Sequence, residues 1–130
     1  MINDPYTFNL SVAWLGVLCG LLLGAAIGLF FHQNEWLGGY ESWSRRLLRL
    51  GHISFIGIAI INFAFVFSIP NLKLDELLWI PSICFAIAEV TMPSACIVAA
   101  FWKPGRYLFP LPVISLFIGV IVLLKWGIFT

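Results

Sequence analysis

Three stretches of this chain carry no charge at all, and a fourth carries one. No Asp, Glu, Lys or Arg occurs over residues 5–34, 50–72 or 107–124, and residues 77–102 hold only Glu89. A helix needs about 20 apolar residues to cross the hydrocarbon core of a bilayer. The spacing predicts four crossings, over about residues 10–31, 51–69, 77–101 and 110–126. The expected fold is therefore an all-α integral membrane protein, a single four-helix transmembrane domain spanning the 130 residues. Composition agrees, because 62% of the residues are hydrophobic and 10% are charged, against about 25% charged in soluble domains. Such a chain cannot solvate an ordinary surface, which excludes a soluble enzyme and a disordered segment.

Prolines punctuate the crossings. Pro81, Pro110 and Pro112 fall where helices begin, where a missing N–H costs nothing. Pro93 lies inside the third crossing, where it frees the Glu89 carbonyl and is expected to kink the helix. The leader MINDPYTFNL lacks a basic residue and the run behind it is long, so the first crossing reads as a mature helix rather than a signal peptide.

Basic residues set the expected orientation. Arg45, Arg46 and Arg49 lie in the first loop, and Lys103 and Arg106 in the third. Lys73 in the second loop is offset by Asp75 and Glu76, and the N-terminus offers only Asp4. The first and third loops should face the cytoplasm, with both termini outside; in a bacterium that membrane is the inner one. Trp36, Trp43 and Trp102 then fall at the inner boundary and Trp14, Trp79 and Trp126 at the outer one, where an indole is favoured. Between the first two crossings, Tyr40, Trp43, Leu47 and Leu50 recur at helical spacing, with Glu41, Arg45 and Arg49 on another face. This predicts a short amphipathic helix on the inner leaflet, or an extension of the second crossing.

Gly16, Gly20, Gly24 and Gly28 stand four residues apart in the first crossing. Glycine costs about 1 kcal/mol relative to alanine inside a helix, so the stripe has a purpose. It lets a neighbouring helix, another subunit or a flat cofactor approach the backbone closely. Ser82, Ala86, Ala95 and Ala99 are small positions in the third crossing suited to receive it.

The two histidines, His32 and His52, lie at the same expected boundary on adjacent antiparallel helices. That placement suits the two axial ligands of a haem b, with any metal held through the haem iron. Gly28 would make room for the porphyrin face, and Arg45, Arg46 and Arg49 lie where propionates would emerge. Interfacial histidines with no ligand are the plainer reading. Cys19, Cys84 and Cys96 lie inside crossings and form no metal-binding or haem-attachment motif.

Glu89 is the one ionisable residue deep within a crossing, about 18 Å from the inner boundary at 1.5 Å per residue. Asn62 reaches about 16 Å on the same count, within hydrogen-bonding range of that level. A carboxyl in such a place is costly and faces the interior or water, which makes it a functional candidate. It can tie helices together, relay a proton, contact a quinone or couple transport.

Taken together, these features predict a small membrane subunit of a larger complex, of the electron-transfer type, holding haem b or contacting a quinone. Its partners would be lipid and other membrane subunits or further copies of itself. A net charge of +1 offers nothing to nucleic acid. A small proton-coupled transporter using Glu89, and a purely structural anchor, account for parts of the same pattern. No catalytic set such as Ser-His-Asp is present, so an activity of its own is not expected.

Overall fold

The computed structural model describes residues 4–72 and 76–129. Lys73 and Asp75, which entered the charge balance of the second loop, lie outside the described residues. The architecture is helical, with no strand among the described residues. Four segments are long and apolar enough to cross a membrane: Pro5–Phe30, Trp43–Asn71, Trp79–Phe101 and Lys103–Ile128.

Helix α1 (Pro5–Phe30) starts earlier than the apolar run alone suggests. Asp4 is its N-cap, with Oδ1 accepting from the Thr7 N–H at 2.7 Å, and Pro5 follows at the first helical position. Both choices suit a helix start, where backbone donors lack partners. Helix α2 (Trp43–Ser68) begins eight residues before the crossing expected at Gly51. Of the two readings of this segment, a separate interfacial helix or an extension of the second crossing, the structure has the extension: residues 43–50 are the first two turns of α2, capped by Ser42. No break separates them from the crossing, because residues 43–51 contain no proline and Gly51 is packed tightly against Cys96.

Helix α3 (Trp79–Phe101) runs through Pro93, and α4 (Pro110–Val122) continues into a π-helical segment, Leu123–Ile128. Short 3-10 segments, Trp36–Gly38 and Lys103–Leu108, lie in the first and third connections. The first turns on three successive residues of positive φ, Leu37, Gly38 and Gly39. Two of the three are glycine, the residue that takes this conformation without strain.

Helix α3 lies centrally, against α1, α2 and α4, whereas α4 packs chiefly on α3. Asn9 meets Asn62 while Gly24 meets His52, so α1 and α2 are antiparallel. The α2–α3 pair is held by Phe65 and Phe85, fully buried rings in edge-to-face contact at 5.5 Å. The Phe85 ring also lies against Gly119 of α4, where an added Cβ would come within 2.6 Å of it.

Two helix ends are finished by the start of α2. Trp43 Nε1 donates to the Ala99 carbonyl at 2.7 Å and Ser44 Oγ to the Ala100 carbonyl at 2.6 Å. These are among the last carbonyls of α3, which have no partner within the helix. Arg45, only 4% exposed, donates to the carbonyls of Phe31, Gln33 and Asn34 just beyond α1.

Candidate functional site

A buried polar cluster joins α1, α2 and α3 in the interior of the bundle. Asn9 Nδ2 donates to Asn62 Oδ1 at 2.7 Å and to the Ser82 carbonyl at 3.1 Å. Ser82 Oγ donates to Asn9 Oδ1. Asn62 Nδ2 donates in turn to the Ile58 carbonyl at 3.1 Å and to Glu89 Oε2 at 3.2 Å. Asn9, Asn62 and Ser82 are wholly buried and Glu89 is 3% exposed. Buried polar groups are costly unless paired, and here each amide finds partners on neighbouring helices. One atom departs from the rule. Glu89 Oε1 is the only buried side-chain nitrogen or oxygen without a hydrogen-bond partner among the described residues.

The glycine stripe explains how the carboxyl fits. At Gly16 a Cβ would fall on the Glu89 carboxyl itself. At Gly20 it would meet Ile56 Cγ1 at 2.8 Å, and at Gly24 the His52 ring at 2.5 Å. At Gly28 it would meet nothing within 4 Å. The stripe is therefore a row of sockets for large side chains of α2 and α3, open at its last position. The small residues Ala86, Ala95 and Ala99 do not receive it, and Ser82 lies one step away, bonded to Asn9. At three of the four positions the group that approaches the α1 backbone is a bulky side chain of a neighbouring helix, Glu89, Ile56 or His52, which alanine would displace.

Beside Gly16 and Glu89 is a cavity of about 140 Å³, lined by Val12, Leu15, Cys19, Phe55 and Val90. Leu15, Cys19 and Val90 on its rim are exposed, so it opens onto the outer face of the bundle between α1 and α3. Its accessible lining is wholly apolar, and Glu89 Oε1 itself is buried against the backbone of Gly16.

The structure brings Asn62 and Glu89 together and treats the histidines differently. His52 is half-buried in α2, with Nδ1 2.8 Å from the Gly20 carbonyl. A carbonyl only accepts, so Nδ1 carries the hydrogen and Nε2 is left with no partner among the described residues. His32 lies beyond the end of α1 and is exposed. Eight residues separate His32 from Gly24, the socket of the His52 ring, roughly 12 Å of rise at helical spacing.

The arginines also diverge. Arg45 is enclosed by the rings of Phe31, Trp36 and Tyr40, at 5.4, 5.4 and 5.9 Å. Arg49 lies 4.1 Å over Tyr40 and donates to its carbonyl, while Arg46 is exposed. Among the described residues no group of three or more His, Cys, Asp and Glu could hold a metal ion directly.

Sequence reasoning missed Asn9 and Ser82. Asn9 sits one residue outside the crossing drawn from Leu10, and its polar amide was the available signal. Ser82 counted only as a small residue, although a hydroxyl beside a buried asparagine is a natural partner. Comparison with family models, with curated proteins and with solved structures finds no match to this chain.

Proposed function

We propose that this chain is a small integral-membrane subunit of a larger electron-transfer complex, in which Glu89 takes up and releases protons. The observation that carries the reading is the divided environment of the Glu89 carboxyl. Oε2 is held by Asn62, while Oε1 has no partner and lies beside a cavity open at the outer face of the bundle. An ionisable side chain inside a span is expensive and is retained for a task. A carboxyl held by one oxygen keeps its place while the other gains or loses a proton. The short connections leave no room for a catalytic domain, so the chemistry would belong to a partner. The basic residues of the first and third loops support a cytoplasmic side for both, with the termini outside.

The test is to isolate the protein from its native membrane in mild detergent with whatever accompanies it. Glu89→Gln should leave the assembly intact and lower its proton-linked turnover at least tenfold, a modest value for a proton-transfer group. Unchanged turnover overturns the role of Glu89. Glu89-dependent proton uptake by the chain alone in liposomes would replace the subunit reading with a proton-coupled transporter.

One observation favours a second task, haem b ligation through His52. A ligating histidine usually gives its other ring hydrogen to a carbonyl or carboxylate, as His52 Nδ1 gives its hydrogen to Gly20. The open space at Gly28 lies one helical turn beyond the socket of that ring. His32 would complete the pair only if it turned inward from its exposed position. A reduced-minus-oxidised spectrum with a haem b band that His52→Ala removes would support this. A colourless preparation that includes the native partners would overturn it.

A further inference from the structure

We infer that the seam between α2 and α4 holds one anionic phospholipid, with its phosphate on the cations where α2 begins and one acyl chain running along the seam to mid-span. The inference is independent of the role given to Glu89.

The seam itself comes first. Helices α2 and α4 both pack on α3 and hardly touch each other. Between them is a cavity of about 170 Å³, lined by Ile61, Leu116, Phe117 and Val120, whose accessible lining is wholly apolar. Arg46, Leu50 and Gly57 of α2 fall within about 60° of Ile61 around the helix axis, at about 100° per residue. All three are exposed, and a Cβ at Gly57 would meet nothing within 4 Å. One face of α2 is therefore open from Arg46 up to the cavity.

The cations come second. Trp43 and Ser44 bond the carbonyls of Ala99 and Ala100, and Gly105 packs against Ala99 at the same end of α3. This sets Arg46, and the turn that carries Lys103 and Arg106, at one end of the seam. All three side chains are exposed. Among the described residues none of them forms an ion pair, although Glu35 and Glu41 lie in the neighbouring connection, and Arg106 bonds only the Tyr107 hydroxyl and ring. Basic groups between helices at a membrane boundary suit an anionic headgroup, and guanidinium can grip a phosphate with two parallel bonds.

Depth comes last. Ile61 lies fifteen residues beyond Arg46 in α2, about 22 Å at 1.5 Å per residue. A headgroup layer of about 5–7 Å and half a hydrocarbon core of about 15 Å make up the same distance. A phosphate at Arg46 therefore brings the end of its acyl chain to the apolar cavity, after passing the bare backbone at Gly57.

The experiment uses the full chain in mild detergent, with dioleoyl-phosphatidylglycerol added and native mass spectrometry counting what stays bound. One phosphatidylglycerol should be retained at least about tenfold more readily than a phosphatidylcholine of the same chains. Arg46→Gln, Lys103→Gln and Arg106→Gln together, all at exposed positions, should remove that preference. Gly57→Phe, which fills open space, should reduce retention of the phosphatidylglycerol. Glycerol phosphate should not compete, because it has no chain. A phosphatidylglycerol with a diazirine at its chain end should crosslink to the peptide holding Ile61 or to residues 116–120.

Equal retention of the two lipids overturns the phosphate contact. Competition by glycerol phosphate overturns the chain path and leaves only an anion site. Crosslinks at Phe67 or Gly127 put the lipid in the opposite leaflet and overturn the assignment of its head. A dimer that excludes lipid and is broken by Gly57→Phe overturns the lipid in favour of a second copy of this chain.

Discussion

The Glu89 carboxyl occupies the space that a side chain at Gly16 would fill. Twelve residues along the same stripe, Gly28 faces nothing within 4 Å. Alanine at the two positions should therefore have opposite effects. Gly16→Ala forces the carboxyl off its place, and overpacking of this kind costs about 1–3 kcal/mol. Gly28→Ala meets no obstacle and removes a poor helix former, for a gain of up to about 1 kcal/mol. Thermal unfolding in detergent checks both. A loss at Gly28 would instead reveal a neighbour seated there.

Asn62 is the link between Asn9 and Glu89, because it accepts from one and donates to the other. Asn62→Ala leaves both without that partner. Each orphaned buried group costs about 1–3 kcal/mol in soluble proteins. Hydrogen bonds between membrane helices average nearer 0.6 kcal/mol, since the separated helices find other partners in lipid. A total loss of about 2 kcal/mol is expected, and a coupling of about 0.5–2 kcal/mol in a double-mutant cycle with Asn9→Ala. Ser11→Ala, which removes only a bond to the Thr7 carbonyl within α1, should be close to neutral. Additive losses at Asn9 and Asn62 would show that the amides act separately.

The long apolar runs made the four helices legible, because length and missing charge are properties of composition along the chain. Helix ends were less legible. Residues 43–50 are amphipathic, and amphipathicity alone does not distinguish a surface helix from the first turns of a longer one. The continuity of α2 depends on Trp43 and Ser44 reaching the carbonyls of Ala99 and Ala100, a contact across 56 residues that no local pattern contains. Asn62 and Glu89 could be matched by depth, since antiparallel helices of known start give a level for each residue. Rotation about the helix axis could not be read in that way. It decides that Gly24 receives His52 and Gly16 receives Glu89, and it was settled by packing. The same limit applies to Arg45, which looked like one of three equivalent surface cations.

Arg45 closes the turn after α1 and should be far more sensitive than its neighbour Arg46. Its guanidinium donates to three carbonyls inside an aromatic enclosure. Hydrogen bonds from a charged group contribute about 1.5–3 kcal/mol where the alternative is an unpaired acceptor. Arg45→Met retains much of the length and loses every donor, so a destabilisation of about 2–4 kcal/mol is expected. Arg45→Lys should recover only part, because one ammonium cannot span the fork. Arg46→Met, on an exposed side chain, should stay within about 0.5 kcal/mol. Amide exchange should quicken at Gln33 and Trp36, whose N–H groups bond within this turn. Equal behaviour of the two arginine variants would remove the special role of Arg45.

The N-cap of α1 should make the stability of the protein fall in acid. The Thr7 backbone N–H, and then its hydroxyl, bond the Asp4 carboxylate and hold its pKa below the usual range. A carboxyl with a depressed folded-state pKa stabilises the fold above its unfolded value, near pH 3.9 for an ordinary Asp. That contribution is lost as the pH drops through the lower, folded value. Melting temperature should therefore be insensitive to Asp4 ionisation from neutrality down to about pH 4, and decline below it. Asp4→Asn keeps an acceptor for the Thr7 N–H but removes the charge at the positive end of the helix. It should melt slightly lower at neutral pH and show a shallower acid decline. The two curves should converge once the natural carboxyl is protonated. Parallel curves throughout the acid range would mean that Asp4 acts only as a hydrogen-bond acceptor, with no charge term at this cap.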